Sequence, residues 1–172
     1  GSNAFKVTQT VFGTGAWSSG GNLNQARSQG GNNASGGSAS IGLVSGGNKY
    51  SPGASYDNTE IYNGTAWTEV NNLNDGRTVL AGGGVSTSAL VAGGNPGSSP
   101  YATVNVETWD GTSWTEVTNL NTVRNGANAA ASSNTAVLIF GGANFIPSAT
   151  YYAITESWNG SSWTEVADLA TA

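Results

Sequence analysis

The chain repeats one nine-residue stretch, Trp109-Asp110-Gly111-Thr112-Ser113-Trp114-Thr115-Glu116-Val117. Two further copies are Tyr62-Asn63-Gly64-Thr65-Ala66-Trp67-Thr68-Glu69-Val70 and Trp158-Asn159-Gly160-Ser161-Ser162-Trp163-Thr164-Glu165-Val166, and a degenerate copy runs from Phe12 to Trp17. The second Trp of each copy stands at position 17, 67, 114 or 163, so the period is 47 to 50 residues. A period of this length predicts a repeat protein whose neighbouring units share a core.

Three other landmarks keep the same period. An Arg follows the Trp by ten positions, at Arg27, Arg77 and Arg124. A Gly pair closes an apolar run in each unit, at Gly46-Gly47, Gly93-Gly94 and Gly141-Gly142. A Glu precedes the next Trp by seven positions, at Glu60, Glu107 and Glu156. Four landmarks in a fixed order indicate that each repeat is one structural unit.

Each unit is predicted to form four short β-strands. A run of tiny residues such as Ala81 to Val85 suits an innermost strand that is crowded by its neighbours. The apolar run before the Gly pair, residues 89–92 in the second full unit, predicts a buried strand. Residues 104–109 and 114–117 alternate with period two and predict two more strands. Residues that favour helices, such as Lys, Glu, Gln and Met, are scarce, so we expect almost no helix.

The turn between the third and fourth strands contains Asn63-Gly64, Asp110-Gly111 or Asn159-Gly160. These dipeptides favour a two-residue type I′ hairpin turn, because both residues tolerate a positive φ. Such a turn places Glu107 opposite Trp114. A four-residue loop would instead place Glu107 opposite Glu116, a like-charge pair that destabilises a sheet. We therefore expect the shorter turn.

The order of Arg, tiny-residue strand, apolar strand with Gly-Gly, aromatic residue and Trp resembles the kelch repeat of β-propellers. The resemblance covers residues 5–172. Its matching positions are the Gly pairs and the aromatic residues Tyr62, Trp109, Trp158, Trp67, Trp114 and Trp163. It implies an all-β, kelch-type β-propeller with four-stranded blades, although the aromatic residue and the Trp are only five positions apart, which is tighter than in many kelch repeats. The low charge and the abundant Asn, Gly and Thr also resemble kelch-type repeats from marine phages and metagenomes.

The repeat divides the chain into about three and a half blades. Residues 1–4 read as a cloning scar, residues 5–22 as half a blade with strands three and four, and residues 24–71, 72–118 and 121–168 as three complete blades. Propellers typically have about four to eight blades, so we expect either a fragment of a longer propeller or a ring completed by a homodimer. Because Leu73 and Leu120 precede an Arg by four positions, Leu169 predicts an Arg just beyond Ala172.

Composition excludes several classes of function. The chain has no His and no Cys, which excludes imidazole-dependent triads, thiol catalysis and His or Cys metal sites within it, and we predict no cofactor. The net charge is −5 and the five Lys and Arg residues are spread along the chain, which argues against nucleic-acid binding. No apolar run of about eighteen residues is present, so we predict no membrane span.

The repeated charged residues each have two interpretations. The Glu residues could supply the two acids of a glycosidase, but a catalytic pair is usually unique and these are copies: Glu60, Glu69, Glu107, Glu116, Glu156 and Glu165. We therefore expect no catalytic residue and predict that Glu pairs with Arg or caps exposed backbone. The Arg residues either bind a carboxylate or phosphate of a partner, or tie blades together through bidentate pairs with Glu. The tie is the preferred interpretation.

The loops between the second and third strands differ from unit to unit, over residues 48–53, 95–101 and 144–148. In a propeller these loops share one face with the loops that carry the Arg residues. Variable loops on a rigid frame are where binding residues concentrate. The candidates for partner contact are therefore Tyr50, Tyr101 and Phe145, together with Arg27, Arg77 and Arg124.

These features predict a non-catalytic binding or structural module that presents its loop face to a protein or a glycan, with an extracellular, virion or cell-surface location favoured. The alternative is an accessory carbohydrate-binding propeller domain of a larger carbohydrate-active enzyme. A free-standing hydrolase is the third and least favoured interpretation.

Overall fold

The computed structural model of the chain describes residues 20–29, 31–34, 40–48 and 55–171. This part of the protein is all-β and has no helix, and so contains no helical segment that would traverse a bilayer. The expectation of almost no helix is confirmed for these residues.

Three four-stranded antiparallel sheets follow one another along the chain. Sheet 1 has the order β1-β2-β3-β4, with strands Gly31–Ala34, Gly42–Ser45, Thr59–Tyr62 and Trp67–Val70. Sheet 2 has the order β5-β6-β7-β8, with strands Ala81–Val85, Ser88–Ala92, Val106–Trp109 and Trp114–Val117. Sheet 3 has the order β9-β10-β13-β14, with strands Asn128–Ser133, Ala136–Phe140, Thr155–Trp158 and Trp163–Val166. A two-stranded sheet pairs β11 (Ala143–Asn144) with β12 (Thr150–Tyr151).

The predicted strands are found in sheet 2 close to their expected bounds. Strand β5 begins at Ala81 and ends at Val85, and β8 runs from Trp114 to Val117, both as predicted. Strand β7 begins at Val106, two residues after the predicted start. None of the sheets in the described part of the chain closes on itself. Of the predicted half blade at 5–22, only residues 20–22 are described, and the scar at 1–4 lies outside the described residues.

The hairpin prediction is wrong. Trp109 pairs with Trp114 and Glu107 with Glu116, so the loop has four residues, 110–113. The Asp110 carboxylate organises this loop, because its Oδ1 accepts the N–H groups of Thr112 and Ser113 at 2.8 Å each. Only Gly111 takes a positive φ in this loop, at 100°, whereas a type I′ turn needs two such residues.

The same four-residue loop joins β3 to β4 and β13 to β14. Tyr62 pairs with Trp67, and Trp158 pairs with Trp163. Asn63 and Asn159 replace Asp110, and the side-chain oxygen of each accepts two N–H groups of its own loop. The dipeptide correctly predicted a hairpin but not its length, because the side chain of its first residue stabilises a longer loop.

The like-charge pair that argued against this register is tolerated. Glu107 is only 1% exposed and forms an ion pair with Arg77, whereas Glu116 is exposed to solvent. The Arg charge therefore compensates Glu107, and water screens Glu116. Sequence spacing alone could not show that a third residue neutralises one member of the pair.

Apolar side chains are buried between consecutive sheets. Leu43 and Leu73 pack with residues of sheet 2 in one cluster, which also contains Leu80, Ala89, Val91, Trp109 and Trp114. A second cluster joins sheets 2 and 3 through Ala81, Leu90, Ala92, Val106, Leu120, Ala127, Val137, Ile139, Trp158 and Trp163. The cores of this protein are thus interfaces between neighbours, as repeat proteins require.

The tiny residues of the first strands allow the sheets to approach closely. Strand β5 lies against β1 on one side and β9 on the other. A Cβ atom at Gly83 would stand only 2.9 Å from Cβ of Ala131 in β9. A larger side chain at Gly83 would therefore force sheets 2 and 3 apart.

Candidate binding site on the loop face

Each unit contains a buried ion pair between its Arg and its Glu. The Arg27 Nη2 atom lies 2.7 Å from Glu60 Oε1, and Arg124 Nη2 lies 2.5 Å from Glu156 Oε1. Arg77 and Glu107 form the same pair. The side chains of all six residues are 0–2% exposed. A buried carboxylate needs further hydrogen bonds to offset its desolvation.

An Asn three positions before the Arg supplies those hydrogen bonds. The backbone N–H and the Nδ2 of Asn74 both donate to Glu107 Oε2 at 2.8 Å. Asn24 and Asn121 make the same two bonds to Glu60 and Glu156. We call each set of Arg, Glu and Asn a clasp. The Asn was missed at the sequence level, although it follows the repeat Leu in all three units, as Leu23-Asn24, Leu73-Asn74 and Leu120-Asn121.

In the first clasp, hydrogen bonds favour the ionised form of Glu60. Burial alone would raise the pKa of Glu60, but the Asn24 N–H, the Arg27 guanidinium and the Gln25 N–H together hold that pKa below its ordinary value. Hydrogen bonds to the charged form outweigh the desolvation in this position. These hydrogen bonds therefore favour the charged form of Glu60.

The Nη1 atom of each guanidinium binds backbone carbonyls. Nη1 of Arg27 donates to the carbonyl oxygens of Gly46 and Asn58 at 2.7 and 2.9 Å. Nη1 of Arg124 donates in the same way to Gly141 and Ile154, at 3.2 and 3.0 Å. The Arg donates to one Glu oxygen and the Asn donates to the other. The prediction of a bidentate Arg–Glu pair is therefore wrong.

The ion pair also closes within one unit instead of joining two. Arg77 and Glu107 both belong to residues 72–118. The clasp therefore attaches the segment before β5 to sheet 2, the sheet into which this segment leads. The backbone of the Arg makes the link between units, because the Arg77 carbonyl accepts the N–H of Gly47 at 2.9 Å. The role of the three Arg residues in partner contact stays a prediction, and their burial favours the structural interpretation.

A second group of candidate binding residues lies on the loops. A cavity of about 690 Å³ opens among the segments that precede β1, β5 and β9 and those that follow β6, β10 and β14; we call it the loop cavity. Its lining comprises Gln29, Val79, Asn95, Tyr101, Asn125, Gly126, Gly141, Gly142, Ala143, Phe145, Tyr151, Tyr152 and Leu169. Two of the three loop aromatics predicted from sequence, Tyr101 and Phe145, thus meet at one cavity. The third, Tyr50, lies outside the described residues.

Backbone contacts hold Tyr101 at the cavity. Its N–H donates to the Ser98 carbonyl at 2.8 Å, and its own carbonyl accepts Nδ2 of Asn125 at 2.6 Å. Its φ is 61°, in the left-handed region. The residue as a whole remains 47% exposed. A fixed backbone therefore presents a free aromatic face to solvent.

Phe145 and Tyr151 lie together on another part of the cavity lining. Phe145 directly follows β11 and Tyr151 ends the paired strand β12, and their ring centroids are 6.2 Å apart in an edge-to-face arrangement. Phe145 is 47% and Tyr151 67% exposed. Tyr152 stacks on the buried Arg124, whose guanidinium carbon is 5.8 Å from the ring centroid. Exposed aromatic rings gathered in this way are typical of binding surfaces.

The floor of the cavity is built from a repeated backbone position. Gln29, Val79 and Gly126 each follow the repeat Arg by two positions, and their φ angles are 49°, 53° and 64°. The N–H of Val79 donates to Gln29 O, and the N–H of Gly126 donates to Val79 O. A valine with this φ is strained, and such strain often marks functional sites. In the sequence, only the glycine at position 126 indicated a residue with a positive φ at this repeat position.

The described lining of the loop cavity contains neutral groups only. None of its described lining residues is Asp, Glu, Lys or Arg. The described residues also hold no group of three acidic side chains arranged to bind a metal ion. The cavity can therefore offer aromatic contacts and the amide groups of Asn95 and Asn125, but it has no acid and base pair of its own.

Tyr151, Tyr152 and Val79 were not predicted as site residues. Tyr152 could have been identified from the repeat, because it stands four positions before Glu156, as Tyr56 does before Glu60. Tyr151 had none, since it is specific to one loop.

No family model and no curated protein matches this chain. The function is therefore argued from the geometry of the loop cavity and the clasps.

Proposed function

We propose that this protein is a non-catalytic binding or structural module of the kelch-type β-propeller class, which presents the loop cavity to a protein or glycan partner. The observation that carries the proposal is the convergence of Tyr101, Phe145 and Tyr151 on one cavity with their rings exposed. The partner is extracellular or on a virion or cell surface in this proposal. Neither nucleic acid nor membrane is a partner in it.

The repeated interfaces support a propeller. Successive sheets bury equivalent side chains, and their first strands lie in the order β1, β5, β9. Fan-like packing of four-stranded antiparallel sheets around an axis has these properties. We retain residues 24–71, 72–118 and 121–168 as the three blades of this proposal and residues 5–22 as a half blade.

The clasps support a binding role over a catalytic one. Glu60, Glu107 and Glu156 are each held by an Arg and an Asn, so the most buried carboxylates are committed to structure. A glycosidase needs one protonated and one free carboxylate facing a substrate. The loop cavity carries neither.

An accessory carbohydrate-binding domain of a larger carbohydrate-active enzyme is the second candidate. The neighbourhood of Tyr101 favours it, because an exposed ring beside the Asn95 and Asn125 side chains combines a stacking surface with amide groups. Sugars present apolar C–H faces and hydroxyl groups that match this combination.

Binding to a glycan array and pulldown of surface proteins, each with wild type and Tyr101→Ala, test the proposal. Loss of a retained ligand in Tyr101→Ala supports a binding site at the loop cavity, and the class of ligand separates the two candidates. Ile41→Ala is the matched control, since Ile41 is 45% exposed but does not line the cavity. Equal binding by wild type and Tyr101→Ala would contradict the site. Glycoside turnover abolished by one Glu→Gln change would contradict the function.

A further inference from the structure

The chain contains three Asn-Gly dipeptides, at Asn63-Gly64, Asn125-Gly126 and Asn159-Gly160. In such a dipeptide the backbone nitrogen of the Gly can attack the side-chain amide of the Asn, because the two groups are held close together and Gly has no Cβ atom to hinder the approach. The reaction converts the amide into an acid without an enzyme. The structure places the three dipeptides in two different environments.

Two of the dipeptides stand in exposed hairpin loops. Asn63 and Gly64 begin the loop between β3 and β4, and Asn159 and Gly160 begin the loop between β13 and β14. All four residues are exposed to solvent. Among the described residues, no acceptor binds the N–H of Gly64 or of Gly160. The attacking nitrogen of each loop is therefore free to lose its proton to the solvent.

The same loops polarise the amide carbonyl that is attacked. Oδ1 of Asn63 accepts the N–H groups of Thr65 and Ala66 at 3.0 Å each. Oδ1 of Asn159 accepts the equivalent N–H groups of its own loop at 2.9 and 3.0 Å. Attack on Cγ places negative charge on this oxygen, and two backbone N–H donors stabilise such a charge as an oxyanion hole does. The hydrogen bonds that organise the loop thus also favour reaction of its amide.

The third dipeptide is held in an unreactive arrangement. Asn125 is only 6% exposed, and its Nδ2 donates to the Tyr101 carbonyl at 2.6 Å. The N–H of Gly126 donates to the Val79 carbonyl at 2.9 Å. Both the attacking nitrogen and the leaving amide are therefore engaged, and this segment must open before it can react.

Sheet 2 shows that an acid fits the hairpin loop. Asp110 stands where the other two loops have Asn, and its Oδ1 accepts two N–H groups of the loop in the same way. The N–H groups of Ser113 and Thr112 hold the pKa of Asp110 below its ordinary value. The loop therefore accommodates the charged product as well as the neutral amide.

We propose that Asn63 and Asn159 are sites of self-modification, at which the hairpin loop converts its own amide into an acid, and that Asn125 is protected. The nitrogen of Gly64 attacks Cγ of Asn63; the new N–Cγ bond forms, the Cγ–Nδ2 bond breaks, and the amide leaves as ammonia with the proton that the Gly64 nitrogen gives up. Water then opens the cyclic imide at either carbonyl and leaves Asp or isoaspartate. The same steps occur at Asn159.

The two products have different consequences for the loop. Asp keeps the side-chain oxygen that binds the loop N–H groups, whereas isoaspartate lengthens the backbone by one carbon and displaces that oxygen. Each conversion also adds one negative charge to a chain whose net charge is −5. The inference is independent of the loop cavity, because neither Asn63 nor Asn159 belongs to its described lining.

Peptide mapping by tandem mass spectrometry, after incubation of the folded protein at mildly alkaline pH, tests the proposal. We expect the acid form at Asn63 and Asn159 to increase with time and with pH, because the attacking nitrogen must lose its proton. Conversion at Asn125 should be about tenfold slower or more, because it requires local opening. A sample mapped at time zero corrects for conversion during digestion. In urea all three sites should convert at comparable rates, since each is then an unfolded Asn-Gly dipeptide.

The variant Asn63→Asp is the control for the product. It should unfold at the same temperature as wild type, as Asp110 already fills this position in sheet 2, and it should leave conversion at Asn159 unchanged. A clearly lower unfolding temperature would contradict the fit of the product. Folded protein that stays unmodified at Asn63 and Asn159 while the chain in urea converts, or that converts equally fast at Asn125, would overturn the proposal.

Discussion

At the scale of the residue, the clasp explains why Arg, Glu and Asn recur in register. The guanidinium of each Arg binds one Glu oxygen and two backbone carbonyls, while the Asn binds the other Glu oxygen. Removing one member would leave a buried charge without its partner, which costs about 3–5 kcal/mol in comparable buried pairs. The clasp is thus a structural unit in which no member is replaceable alone.

The lowered pKa of Glu60 predicts acid sensitivity. A carboxylate whose folded pKa lies below its unfolded value of 4.5 stabilises the protein above that value, and this stability is lost as pH falls through the folded pKa. We expect the free energy of unfolding of wild type to fall over this range. Glu60→Gln should be less stable at neutral pH and should lose less on acidification. Urea unfolding across the range measures both, with the exposed Glu116→Gln as control.

An equal acid-dependent loss in wild type and Glu60→Gln would contradict this account of Glu60. The two variants separate a clasp effect from a general effect of carboxylate protonation, since each removes one ionisable group.

At the scale of the element, the four-residue hairpin loop depends on one side-chain oxygen. We expect Asp110→Ala to lower the free energy of unfolding, because two loop N–H groups lose their acceptor. Asp110→Asn should be close to neutral, since Asn63 and Asn159 fill the same place in the other units. Thermal unfolding of both variants checks the prediction.

Thr112→Ala is the matched control for the loop, because the Thr112 backbone N–H binds Asp110 and its side chain is exposed. If Asp110→Ala were as stable as Thr112→Ala, the carboxylate would not organise the loop.

Sequence predicted the elements of this protein better than their register. The strands at Ala81 to Val85 and Trp114 to Val117 follow from composition and period-two alternation, which are local properties. The sequence did not predict the register of the hairpin, because the charge of Glu107 is compensated by Arg77, which lies thirty positions earlier in the chain. Tyr101 and Phe145 could be proposed from loop variability, but the joining of their loops into one cavity depends on how the sheets pack.

At the scale of the whole molecule, the sheets are linked by hydrogen bonds as well as by apolar contact. The indole N–H of Trp114 donates to the Thr59 hydroxyl at 2.9 Å in a buried position. At the next interface Val106 replaces Thr59 in the repeat, and the indole of Trp163 donates to the Thr118 carbonyl instead. Each interface thus finds its own acceptor for the same donor.

We expect Thr59→Val to destabilise the protein by about 1–3 kcal/mol, because the buried indole of Trp114 would lose its acceptor. Thr155→Val makes the same change at the corresponding position of sheet 3, where the described residues place no indole of a following sheet. It should have a much smaller effect. Urea unfolding at low protein concentration compares the two, and equal losses would contradict an inter-sheet role for Thr59.

The closure of every clasp inside its own unit has a genetic consequence. Arg and Glu of a clasp are separated by 30 to 33 positions, well within one period, and each apolar cluster joins only consecutive sheets. Recombination that duplicates or deletes one whole period would therefore leave every remaining clasp intact and recreate the same interface at the new junction. A gene built in this way can change its copy number of repeats without compensating substitutions elsewhere.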